Sequence, residues 1–107
     1  MNKRRKDRID KDKKDKEWAK IIKLDGSQAC TICGDRKRLN SHHIVPREIT
    51  ELRWNIENGI CLCPKHHKFG IYSAHKNPFW FIMWLKQNKQ EQFEYLAQWM
   101  DKFPKHL

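Results

Sequence analysis

Apolar positions are spread unevenly along this chain. Residues 1 to 16 carry almost no apolar side chain, so burial cannot offset the entropy of ordering them. That segment is expected to be a basic mobile arm, with a solvated helix as the alternative, preceding a single domain over residues 17–107. From Glu17, the spacing of Trp18, Ile21 and Ile22 is helical and stops at Asp25-Gly26, which predicts a helix packing Trp18 and Ile22 against the first cysteine pair. Leu39 to Val45 reads as a short strand ending at Pro46, and Ile60 to Leu62 as a second ending at Cys63-Pro64. An irregular stretch from Arg47 to Gly59 lies between them. A helix starting near Pro64 would place His66 and His67 in its first turn, because proline is tolerated at a helix start. Asn77-Pro78 marks another helix start. Residues 79–85 beyond it are apolar almost all round, and Phe93, Leu96, Ala97, Met100 and Phe103 form one stripe of a final helix. The predicted class is α+β: a short antiparallel hairpin plus helix, flanked by an N-terminal helix and, over residues 78–103, C-terminal helices. No internal repeat is visible.

With 107 residues, 38% of them hydrophobic, the chain cannot bury a large core and needs a staple. Four cysteines, Lys-rich flanks and no apolar run long enough for a signal peptide or membrane span point to a reducing cytoplasm, where this cysteine spacing reads as metal binding rather than disulfide. The net charge of +10 makes a polyanion the expected partner. In residues 1–16, nine Lys/Arg face four Asp, so half of the excess sits there.

Cys30-Thr-Ile-Cys33 and Cys63-Pro-Lys-His66 are two knuckles, each able to present two ligands to one tetrahedral ion, so Cys30, Cys33, Cys63 and His66 complete a structural zinc shell. Cys61 offers an alternative ligand, but its one-residue spacer suits a strand better than a knuckle, and it reads as a small core residue. Gly34 lets the first knuckle turn tightly. His42, His43 and His67 are surplus to one zinc and point to a second, working metal centre. On a regular strand, His42 and His43 would face opposite ways. Asn58 and His67 flank the second knuckle, so folding would bring these groups toward the doublet.

At these residues the sequence resembles the HNH endonucleases, the nucleases with a ββα-metal (His-Me) finger. The family pattern runs from a zinc knuckle through Asp/His-His-Ile-x-Pro and an Asn to Leu-Cys-x-x-Cys-His. Here it reads Cys30-Thr-Ile-Cys33, His42-His43-Ile44-Val45-Pro46, Asn58 and Leu62-Cys63-Pro-Lys-His66-His67. The resemblance covers about residues 30 to 77. His66 stands where the family usually has a fourth cysteine, and zinc accepts either. What the resemblance implies is a metal-dependent endonuclease leaving 5′-phosphate and 3′-hydroxyl ends. His43 would be the general base, and Asn58 would hold it through a ring nitrogen or a neighbouring backbone group. His42 and His67 would ligate one divalent ion (Mg2+, Mn2+, Ni2+ or Zn2+). His75 lies ~12 Å further on if a helix continues, and joins them only if the chain folds back after Gly70.

Double-stranded DNA is the expected substrate, contacted by Arg36, Lys37, Arg38, Arg47, Arg53, Lys65, Lys68 and Lys76. No base-reading motif accompanies them, so the contacts should be mainly to backbone, with low sequence specificity. Trp80, Phe81 and Trp84 read as core, although their all-round apolarity also allows a homodimer interface. Small free-standing members of the family occur in bacteriophages and bacteria, some beside the DNA-packaging machinery, so terminase or portal proteins are possible partners. The rival readings are a non-catalytic zinc-containing nucleic-acid-binding module and an accessory subunit of a packaging or recombination complex.

Overall fold

A computed structural model describes residues 2–102; Phe103, the last member of the predicted C-terminal stripe, lies outside them. The first helix, α1, spans Lys3–Asp25, and Asn2 caps it by accepting from the Arg5 N–H at 2.9 Å. It is far longer than its apolar spacing predicts. Asp7 and Lys11, Asp10 and Lys14, and Asp12 and Lys16 stand at i, i+4 with the acid first, the order that supports a helix. Residues 3–14 are nonetheless exposed throughout. Asp15, Trp18 and Ile22 share the face that meets the rest of the molecule, where Trp18 and Ile22 are buried.

Strands β1 (Asn40–His43) and β2 (Gly59–Leu62) pair antiparallel, with Asn40 opposite Leu62, Ser41 opposite Cys61, His42 opposite Ile60 and His43 opposite Gly59. The connection between them contains two single 3-10 turns, Thr50–Leu52 and Ile56–Asn58. Alternation along β2 explains its wholly apolar sequence. Ile60 and Leu62 enter a core with Cys30, Cys63, Phe81 and Leu85, while Cys61 faces the other way onto Trp18 and Ile22. Cys61 is thus a core residue, 1% exposed. A third cluster packs Val45 and Leu52 against Leu96.

The helix expected from Pro64 is a single wide turn, Lys65–Phe69, closed by Gly70 N–H donating to Lys65 O at 2.8 Å. A Cβ on Gly70 would stand 2.6 Å from that same carbonyl oxygen, so only glycine closes the turn in this way. The chain then folds back, with Ala74 N–H on His66 O and His75 N–H on His67 O. Helix α2 (Pro78–Asn88) starts under an Asn77 cap, whose Oδ1 accepts from Trp80 N–H at 3.1 Å. Helix α3 (Gln90–Lys102) follows, with Leu96 buried and Phe93 and Met100 packed against core clusters. Phe81 and Leu85 anchor α2 in the core, and Trp80 and Trp84 pack beside them. No helix among the described residues is long and apolar enough to cross a membrane.

Candidate active site and metal centres

Among the described residues, two groups of side chains can each hold a metal ion. The first is Cys30, Cys33, Cys63 and His66. Gly34, with φ of +81°, adopts a backbone conformation that L residues disfavour, and its N–H donates to Cys30 O at 2.8 Å. Thr31 N–H donates to Cys61 O, binding this knuckle to β2. Cys33 Sγ lies 3.7 Å from Cys63 Sγ, and His66 Nδ1 lies 3.3 Å from Cys63 Sγ and 3.9 Å from Cys30 Sγ. Ligands of a tetrahedral zinc, with bonds of about 2.3 Å to sulfur and 2.0–2.1 Å to nitrogen, stand about 3.6–3.8 Å apart, so the donor set and spacing both fit. Burial pushes the Cys63 thiol up to about 11, so a cation in the cluster is what would hold it as thiolate.

The second group is His42, His67 and His75, whose ligating atoms lie within 4.8 Å of one another. The Nε2 atoms of His67 and His75 are 3.1 Å apart. His42 reaches the other two rings at centroid distances of 5.0 and 5.2 Å. Burial first, and the facing histidines second, push His42 down to about 3 and His67 to about 4, so both keep free lone pairs at neutral pH. The fold-back after Gly70 is what brings His75 here.

His43 turns to the opposite face of β1. Its ring stacks on Trp18 at 3.8 Å and 7°, and its Nε2 lies 2.8 Å from Arg53 O. A carbonyl can only accept, so Nε2 carries the proton and Nδ1 is left as the ring's acceptor. Burial holds the His43 imidazole below its ordinary range. Because β1 ends here, the two faces converge on one open cleft of about 680 Å³, lined by His42, His43, His67, His75, Arg47 and Lys68 among others.

Asn58 is fully buried and does not touch the His43 ring. Its amide donates to Val45 O and Leu52 O, each at 3.0 Å, and accepts from Val45 N–H at 2.7 Å. Of the two arrangements open from the sequence, it takes the backbone one, bracing the loop that carries the Arg53 carbonyl. Arg53 itself requires a correction. Its guanidinium makes a two-point ion pair with Asp15 at 2.9 and 2.6 Å, and its side chain is 17% exposed, so it is not a free cation for DNA. Arg36, Lys37, Arg38, Arg47, Lys65, Lys68 and Lys76 are all exposed. Trp18 also departs from expectation. It covers His43 and Gly59 rather than the first knuckle, and a Cβ on Gly59 would meet its Cζ2 at 2.7 Å. A Trp twelve residues before Cys30 gives no sign of this contact, and neither does Asp15 within its charge run.

A two-stranded finger beside a Cys3His cluster, with a second histidine cluster next to a backbone-anchored imidazole, gives a finger with two candidate metal sites. The HNH endonuclease family model matches residues 30–69 of the chain. No curated protein and no solved structure matches it.

Proposed function

We propose that the protein is a DNA endonuclease that hydrolyses phosphodiester bonds with His43 as general base. The observation that carries this reading is the fixed His43 ring: Nε2–H donates to Arg53 O, leaving Nδ1 as a proton acceptor in the cleft shared with His42, His67 and His75. Held below its ordinary pKa by burial, the imidazole is neutral at physiological pH and able to accept a proton. Nδ1 takes a proton from water as the water oxygen attacks phosphorus, and the P–O3′ bond breaks with the 3′ oxygen taking a proton from solvent, giving 5′-phosphate and 3′-hydroxyl ends. A divalent ion on His42, His67 and His75 would neutralise charge on the phosphate and on the departing oxygen. Asn58 acts on His43 through the loop backbone. Zinc on Cys30, Cys33, Cys63 and His66 would hold the finger together.

The exposed Arg36, Lys37, Arg38, Arg47, Lys65, Lys68 and Lys76 are proposed to hold double-stranded DNA by its phosphates. They supply affinity but little sequence choice. A nuclease with weak preference of its own would gain its target from a packaging or recombination assembly in the host cytoplasm. The test is incubation of wild type and His43→Ala with supercoiled plasmid in Mg2+, Mn2+, Ni2+ or EDTA. Wild type should nick only with metal, and His43→Ala should lose about 10²–10⁴-fold in rate while keeping zinc and DNA binding. A zinc-loaded, DNA-binding wild type that fails to nick with every metal tried would instead be a binding module.

A further inference from the structure

We infer that Trp18 is a positioning residue for His43, and that Asp15 works with it through residues 53–55, so the N-terminal helix completes the active site. This rests on the reading of His43 as the base. Both residues lie outside the 30–69 segment that matches the family.

Each of three consecutive residues in the loop is held by α1. Arg53 donates to both carboxylate oxygens of Asp15, Trp54 Nε1 donates to the same carboxylate at 2.8 Å, and Trp18 Nε1 donates to Asn55 O at 2.9 Å. The carbonyl at the head of this segment, Arg53 O, accepts from His43. Alone, that hydrogen bond leaves the imidazole free to swing about the N···O axis. The near-parallel indole removes this freedom by occupying one face of the ring. Gly59, opposite His43 in the strand register, leaves the space that Ile22 and the edge of the indole fill together. Trp18 is 3% exposed, and its helix neighbours Asp15 and Ile22 occupy the same face at i−3 and i+4. A single helix surface therefore sets the direction of Nδ1 from two sides, through the stack and through the carbonyl.

The test separates positioning from core filling. Trp18→Phe keeps a flat ring over His43, whereas Trp18→Leu keeps apolar volume without one. Single-turnover nicking by the full-length, zinc-loaded protein should stay within about threefold of wild type for Trp18→Phe. Trp18→Leu should lose about 10- to 100-fold in kcat with KM unchanged. Asp15→Asn, at a part-exposed site, covers the case in which Trp18→Leu does not fold, and should lower kcat by about threefold to tenfold. NMR reads the stack without any activity: the His43 ring CH protons should be shifted upfield by the indole ring current in wild type and released in Trp18→Leu. Wild-type kcat in folded Trp18→Leu or Asp15→Asn, or no upfield shift in wild type, would overturn the inference. Wild-type nicking by His43→Ala in the same assay would instead sink the functional reading, leaving the NMR result to judge the stack.

Discussion

At the scale of single residues, the candidate site divides its work between side chains that face the cleft and one that is wholly buried. His43 is held below its ordinary value mainly by burial, against the opposing effect of its hydrogen bond to Arg53 O. A base works in its neutral form, which is present above its pKa and lost as pH falls through it. Cleavage should therefore persist at pH 6.5, where an unperturbed imidazole is about half protonated, and fall only below that. Single-turnover rates between pH 5 and 8 check this, and a midpoint above 6.5 would count against His43 as the base. Asn58 is the contrasting case. Its three hydrogen bonds join Val45 and Leu52, and it has no exposed surface. Asn58→Ala strands three backbone groups, each costing about 1–3 kcal/mol when buried unpaired. The expected result is a loss of about 3 kcal/mol or more in denaturant unfolding, with loss of cleavage because the loop carrying Arg53 O is no longer braced. In the sequence, the cysteines, His42, His43, Asn58 and His67 are legible because their chemistry is local and their spacings are short. The Arg53–Asp15 pair spans 38 positions, and no local spacing announces it.

At the scale of elements, the strands and C-terminal helices follow from apolar periodicity and from proline and asparagine signals. The elements that differ are those governed by something else. The arm at residues 3–16 is helical because charge spacing can support a helix that apolar content cannot. The helix after Pro64 shrinks to one turn because Gly70 lets the backbone close on Lys65 O. That turn is also why His75, eight residues beyond His67, reaches it, whereas a continuing helix would carry it away. Gly70→Ala places a methyl group against a backbone oxygen that cannot step aside, at a cost of about 1–3 kcal/mol. The turn should open and move His75 away from His67. Calorimetric titration with Mn2+ or Ni2+ should then show weaker binding at the three-histidine cluster, by about tenfold or more, while metal content at the Cys3His cluster should be unchanged. Unaltered affinity would mean that His75 contributes nothing to the cluster.

At the scale of the whole molecule, the Cys3His cluster brings together two parts of the chain that are distant in sequence. Its two knuckles are separated by about thirty residues, and Cys30 and Cys63 sit 3% and 2% exposed beside Ile60, Leu62, Phe81 and Leu85. A metal coordinated there would stabilise the same core that hydrophobic packing does, tying the first knuckle to β2 and α2. Only 38% of the chain is hydrophobic, and the outer half of α1 adds no burial, so packing alone leaves a small margin. Metal bound at such a site contributes directly to folding. The histidine cluster differs, since His42 and His67 are neutral without a cation and each is packed from more than one side. Graded chelation should therefore have two stages. A weak chelator should remove the cleft metal and abolish nicking while tryptophan circular dichroism and the melting curve stay nearly unchanged. A strong chelator that extracts the last equivalent of zinc should collapse the tryptophan signal and unfold the chain. Lower pH should bring on that second stage at lower chelator concentration, because protons compete for the three thiolates. Metal content measured alongside circular dichroism distinguishes the stages, and a fold that survives with no metal would show that packing alone suffices.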